Sequence, residues 1–129
     1  VATQRQRRGE RAESLALDRL AGLGWTVLAR NVRVGRDEID LLCIDPRPSP
    51  ELVFVEVRSL RVSSFGAPEE RVDGRKVARL YRSMAGLCAI GRLPDGSPLP
   101  RLPTRVDLLV VDGRSGPVEV RHHRRLMPP

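Results

Sequence analysis

The apolar positions of this chain fall into two stripes of helical spacing, separated by short runs of strand character. Ala12, Leu15, Ala16, Leu20 and Leu23 predict a helix over about 9–23, ended by Gly22 and Gly24. A strand follows over 26–34, then a tight connection at Gly35-Arg36-Asp37 and a second strand over 38–44. The prolines of 45–50 stop any helix or central strand and predict a loop. A Val- and Phe-rich third strand covers 52–57 and runs on toward a loop at 63–68. Val77, Leu80, Met84, Leu87 and Cys88 mark a second helix over about 69–90, stopped by Gly91. The proline-rich stretch 92–103 reads as a flexible surface loop. A buried strand over 105–111 and a short last strand over 118–121 complete the order α-β-β-β-α-β-β. Three consecutive strands, a crossover helix and a further strand imply an α/β fold with helices packed on a mixed central sheet.

At 129 residues the chain is expected to form a single domain, with a basic C-terminal tail over about 122–129. Its composition, 40% hydrophobic and 30% charged, excludes a disordered polyelectrolyte. No apolar run approaches the roughly 20 residues that span a bilayer, so no membrane partner is expected. The basic N-terminus lacks the apolar stretch of a signal peptide. Cys43 and Cys88 sit in apolar segments without metal-ligand spacing, as reduced core cysteines of a cytoplasmic protein would.

The net charge of +7 favours a polyanionic partner, most often nucleic acid. Of the 23 basic residues only Lys76 is lysine, a skew that codon bias in a GC-rich genome explains by itself. Aromatic residues make up 3% of the chain, which argues against stacking platforms for single strands. Recognition of backbone and shape is the expectation.

Alternation along the strands places Glu38 and Asp40 on one face of the second strand, and Glu56 and Arg58 on one face of the third. An acid in so apolar a strand is costly unless it is paired or holds a cation. Two readings follow. Carboxylates at one sheet edge suit a hard divalent cation such as Mg²⁺, which needs one or two of them. Alternatively, Asp40 and Glu56 are strand acids paired with arginines.

Arg7-Arg8-Gly9-Glu10-Arg11-Ala12, Ala29-Arg30-Asn31-Val32-Arg33, Asp37-Glu38-Ile39-Asp40-Leu41-Leu42, Phe54-Val55-Glu56-Val57-Arg58 and Arg105-Val106-Asp107-Leu108-Leu109 form an ordered series. The series resembles the YraN-type family of small bacterial proteins, which is similar to the archaeal Holliday-junction resolvases of the PD-(D/E)xK, or restriction-endonuclease-like, superfamily. The resemblance covers residues from about 5 to 122. It implies an α-β-β-β-α-β nuclease core, with Glu10, Asp40, Glu56 and the Val57 carbonyl as ligands of Mg²⁺ or Mn²⁺ and Glu38 in support. Two positions depart from the pattern. Asp37 stands where the family has glycine, and Arg58 stands at the lysine of the ExK motif. Arginine holds a phosphate or carboxylate oxygen but cannot act as a general base near neutral pH. Lys76, at the edge of the second apolar stripe, is the alternative source of that lysine, or else a lysine whose stem covers the core.

Arg71, Arg75, Arg79 and Arg82 make one ridge of the second helix, and Arg7, Arg8 and Arg11 cluster beside Glu10. These clusters are either a nucleic-acid surface or solvated charge. Arg105 and Asp107 share a strand face and read as a structural ion pair. The expected function is therefore a metal-dependent DNA endonuclease acting on branched or structured DNA. Asp40, Glu56, Arg58 and Lys76 would form its catalytic group, no organic cofactor is expected, and a homodimer is implied by the resemblance. The alternatives are a nucleic-acid-binding module that has lost catalysis through Arg58, and an interaction scaffold without nucleic acid.

Overall fold

The computed structural model describes residues 3–61 and 74–128, apart from the side chains of residues 4–6 and 8. The elements are α1 (Gln4–Gly22), β1 (Thr26–Val34), β2 (Asp37–Asp45), β3 (Glu51–Leu60), α2 (Gly74–Ile90), β4 (Thr104–Asp112) and β5 (Glu119–His123). The strands form one sheet in the order β1-β2-β3-β4-β5. Pairing is antiparallel except between β3 and β4, which α2 connects as a parallel crossover. The expected mixed α/β sheet is what forms.

One helix covers each face. The α1 stripe, Ala16 and Leu20, packs with Trp25, Leu41, Cys43, Val53, Val55 and Leu109. On the other face Leu80 and Leu87 of α2 pack with Leu42, Leu52, Phe54 and Val106. A sheet covered on both sides needs apolar residues at consecutive positions, and Leu52, Val53, Phe54 and Val55 are all buried. Ile39 departs from the alternation read in the sequence, because it joins the α2-side cluster and not Leu41 and Cys43. The β2–β3 ladder starts only at Leu41↔Val55, so the beginning of β2 pairs with β1 alone and is free to twist. At Gly86 an added Cβ would lie 2.8 Å from Val34 Cγ1, so this helical glycine lets α2 approach the end of β1 closely.

Several boundaries differ from those read in the sequence. Helix α1 begins five residues earlier than residue 9. The loop over 63–68 and the helical stretch over 69–73 lie outside the described residues. The 92–103 segment is a surface loop, but it is tied down. Leu93 N donates to Ser97 O (2.8 Å), Leu99 N donates to Gly91 O (3.0 Å), and Leu99 is buried.

The larger correction concerns the C-terminus. Strand β5 takes in His122 and His123, and the following residues are built into the fold, not left as a tail. Leu126 N donates to Val106 O (2.8 Å), and Tyr81 Oη donates to Leu126 O. Arg125, in the left-handed region at φ 55°, donates from its backbone to Asp107 Oδ1 and from its guanidinium to Glu51 Oε1 (2.6 Å).

What draws this segment in is a buried ionic group. Arg105 forms the expected pair with Asp107, in bidentate geometry at 3.0 Å for both bonds. It also meets Glu51 (3.0 Å) and Asp45 (2.9 Å). His122 Nε2 lies 2.8 Å from Asp107 Oδ2, and Arg124 lies 3.7 Å from Asp45. Trp25 caps the group, with its ring 5.1 Å from the Arg105 guanidinium and edge-on to His122. Burial pushes the Asp107 carboxyl up, but bonds from His122 and Arg105 outweigh it and hold the group below the usual carboxylate range. Glu51 is lowered in the same way, with burial outweighed by Arg125 and Arg105.

Removing Arg105 would leave three carboxylates facing one another in the interior. Arg105→Ala is expected to cost about 3–5 kcal/mol in urea unfolding, followed by the emission of the single tryptophan, Trp25. Because the Asp107 and Glu51 carboxyls are lowered, their stabilisation is complete above the ordinary carboxylate range, about pH 4, and is lost as the pH falls below it. A variant that unfolds at the native urea concentration would show the network to be energetically idle.

Candidate functional site

Asp40 and Glu56 stand opposite each other, one step past the last β2–β3 ladder pair, Leu41↔Val55. The ladder ends there because the Asp40 side chain takes the place of a backbone acceptor. Val57 N donates to Asp40 Oδ2 at 2.8 Å. The two carboxyls lie within hydrogen-bonding reach of each other. Two like charges this close cannot both ionise cheaply. Burial, and then the charge of Glu56, pushes Asp40 up to about 7 against the pull of the Val57 N–H. Glu56 is also raised, by burial, although Arg58 and Arg79 pull it back. Burial and the neighbouring charge of Glu56 thus favour a protonated Asp40 up to near neutrality.

Both cations proposed for the ExK role reach the same oxygen. Arg58 Nε lies 3.4 Å and Lys76 Nζ 3.5 Å from Glu56 Oε1. Lys76 comes from α2 and is largely buried, as its place beside the apolar stripe requires. The buried Arg58 Nε–H finds no acceptor in hydrogen-bond geometry among the described residues. Around the pair opens a cavity of about 230 Å³, lined by Arg36, Asp37, Glu38, Asp40, Glu56, Arg79, Leu80 and Ser83. Its polar lining does not suit an apolar ligand.

The structure sorts the remaining residues singled out in the sequence. Glu38 lines the cavity. Glu10 is exposed, and the α1 carboxylate whose charge reaches Asp40 is Glu13. At 100° per residue, Glu13 lies about 60° from the centre of the Ala12–Ala16–Leu20 stripe and Glu10 about 120° from it. Helix geometry thus turns Glu13 toward the sheet and Glu10 toward solvent. Of the arginine ridge on α2, Arg75 is exposed and Arg79 lines the cavity, while Arg82 is bound to Asp37 at 3.0 Å. Arg71 and the side chain of Arg8 lie outside the described residues. Arg7 and Arg11 are exposed, and Arg11 borders a different cavity, between α1 and β3–β4.

Three contributors escaped the sequence reading. Glu13 carried a usable signal, since it lies three residues before Ala16 and seven before Leu20 on the buried face. Arg36 sits in what looked like a bare turn, yet lines the cavity. Asn31 belonged to a noted motif but had no assigned task. Its amide nitrogen, oriented toward the acids, lies 3.0 Å from Glu13 Oε1 and 3.2 Å from Glu38 Oε1.

The raised Asp40 carboxyl has a signed consequence. Below the ordinary carboxylate range both the folded and unfolded chains hold this proton. Between about pH 4 and 7 only the folded chain does, so stability falls as the pH rises through that window. In chelator, Asp40→Asn is expected to melt several degrees above the native protein at pH 8, about 4 °C per kcal/mol relieved, and to match it near pH 4. Equal melting temperatures at pH 8 would mean that the pair is not strained when ionised.

The profile of the uncharacterised protein family UPF0102 matches residues 12–111, from α1 through most of β4. A UPF0102 protein of Dehalococcoides mccartyi is 35% identical over 112 residues, which is 87% of this chain and 85% of that protein. One from Deinococcus radiodurans is 33% identical over 113 residues, covering 88% and 86%. One from Moorella thermoacetica is 43% identical over 81 residues, covering 63% of this chain and 65% of that protein. The matched span holds Glu13, Asn31, Asp40, Glu56 and Lys76, and a match of this extent means that the chain belongs to the UPF0102 family.

Proposed function

We propose that this protein is a divalent-metal-dependent nuclease acting on DNA. The observation that carries the reading is the Asp40–Glu56 pair, half-buried on adjacent strands, with Arg58 and Lys76 both set against Glu56. Among the described residues no three acidic, histidine or cysteine side chains converge on one point. Two carboxylates nevertheless suit Mg²⁺ or Mn²⁺, which leave their other positions to water and substrate phosphate. A carboxyl pair that retains a proton near neutrality is also one that a cation would relieve. Asp40 and Glu56 would hold the ion. The Val57 carbonyl would assist, since the C=O of a strand residue points to the same side as its N–H, here toward Asp40. When bound, such an ion lowers the pKa of a coordinated water and polarises the phosphodiester.

The chain's own residues would do the rest. The Arg58 guanidinium, partly exposed and without a hydrogen bond from its Nε among the described residues, suits a phosphate oxygen, and Lys76 adds fixed positive charge where negative charge builds in phosphoryl transfer. Arg36 and Arg79 border the cavity, and exposed Arg75 extends the positive surface along α2. Together with the +7 net charge they favour a DNA backbone. Branched or structured DNA, and a homodimer matched to a two-fold substrate, extend the same proposal.

Arg58 favours a second reading, a DNA-binding module of the same architecture without cleavage, because arginine cannot activate water as a base. A cleavage panel of duplex, single-stranded, flap and four-way DNA with Mg²⁺ or Mn²⁺ separates the two. The nuclease reading expects metal-dependent cutting that falls at least about 100-fold in Glu56→Gln. Salt-sensitive binding without cutting, converted to cutting by Arg58→Lys, would select the second. Absence of binding at low salt would dismiss both.

A further inference from the structure

Asn31 lies abreast of the acid pair. In the β1–β2 register Arg30 faces Leu41 and Val32 faces Ile39, so the place opposite Asp40 belongs to Asn31. The ladder is interrupted there, because Asn31 adopts φ 51° in the middle of a strand. Left-handed backbone within a strand is rare, and asparagine is among the few side chains that tolerate it. Three strands thus bring Asn31, Asp40 and Glu56 into one row across the sheet.

The side chain makes use of this place. Hydrogen bonding assigns the amide orientation: with its nitrogen turned toward the two carboxylates it lies 3.0 Å from Glu13 Oε1 on α1 and 3.2 Å from Glu38 Oε1 on β2, whereas its oxygen there would face only acceptors. An amide NH₂ has two protons to give, and two carboxylates can accept one each. Arg30 Nη2 donates to the other oxygen of Glu13 at 3.2 Å. Glu13 and Glu38 would repel each other if left alone. A neutral amide joins them without cancelling their charge, which a lysine in that position would do. Arg30 is half exposed, and Arg33, 3.9 Å from the other oxygen of Glu38, is more exposed still, so solvent screens their share of the neutralisation.

We propose that Asn31 is a positioning residue that clamps Glu13 of α1 to Glu38 of β2 and so holds the α1 carboxylate where its charge reaches Asp40. The inference rests on reading that pair as a divalent-cation site, and it adds the device that sets how much negative charge surrounds it. Its left-handed backbone is part of the device, because it is the place where β1 departs from the ladder that the amide reaches both acids.

Asn31→Gly tests this without disturbing the backbone, since glycine accepts positive φ at no steric cost and only the amide is removed. Mn²⁺ binding is read from the loss of the six-line electron paramagnetic resonance signal of the free ion. Asn31→Gly is expected to keep a single cooperative unfolding transition and to weaken Mn²⁺ binding at least fivefold. Glu13→Ala should weaken it as much, and the double variant should be no worse than Glu13→Ala alone, because both act through the same carboxylate. Native Mn²⁺ affinity in Asn31→Gly, or additive losses in the double variant, would overturn the proposal. A second readout needs no metal. In metal-free protein, Glu13→Ala should move the side-chain NH₂ resonances of Asn31, and unchanged resonances would also overturn the clamp. A native protein that retains no Mn²⁺ in a manner sensitive to Asp40→Asn would instead refute the cation-site reading, and the amide resonances would then decide the clamp alone.

Discussion

A charged side chain on a strand covered on both faces has to be neutralised inside the protein. Strands β2, β3 and β4 run between α1 and α2, and each carries acids. The fold meets this constraint in opposite ways at its two ends. At one end Asp45, Glu51 and Asp107 gather around Arg105, with Arg124, Arg125 and His122 completing the balance. Carboxyls there are held below their ordinary range, as in a satisfied ion network. At the other end Asp40 and Glu56 face each other, with Glu13 and Glu38 nearby, and Asp40 is raised. The first arrangement locks the C-terminal segment onto the sheet. The second leaves a close carboxyl pair, one of them raised well above its ordinary range, in a polar cavity, as sites that bind or react often do.

Much of this was legible from patterning, because the elements rest on local rules. Helical spacing of apolar residues, glycine stops and proline breaks depend on neighbours in sequence, so the element order and the mixed sheet could be read. The pairing of Asp40 with Glu56 was also within reach, since a connection short on prolonged loops makes β2 and β3 neighbours and alternation fixes their faces. Glu10 was misplaced because a motif match carries no angular information, whereas the phase of the α1 stripe does. The C-terminal segment looked like a solvated basic tail because its attachment depends on acids 74 and 18 positions earlier in the chain. Asn31 was beyond reach for a related reason. Its task follows from a positive φ in mid-strand, and nothing in an Arg-Asn-Val-Arg run distinguishes that backbone from ordinary strand.

Membership of the UPF0102 family places this arrangement in a family context without supplying a chemistry. The row of side chains across β1, β2 and β3, and the cations that α2 and β3 bring to it, suit phosphodiester chemistry. Arg58 is the residue on which the nuclease and binding-module readings diverge. It shares a Glu56 oxygen with Lys76, so an amine stands beside the acids together with the guanidinium. Lys76 depends in turn on the packing of α2, whose close approach at Gly86 and whose Arg82–Asp37 pair fix the helix against β1 and β2.

If Asp40 and Glu56 form a cation site, Asp40 keeps its proton to near neutrality and a divalent cation displaces it. The most direct measurement is the carbon-13 chemical shift of the Asp40 side-chain carboxyl, followed against pH with and without Mg²⁺. The account predicts a midpoint near 7 in the metal-free protein, moving to lower pH when Mg²⁺ is added. A midpoint in the ordinary carboxylate range, or one near 7 that Mg²⁺ leaves in place, would contradict it.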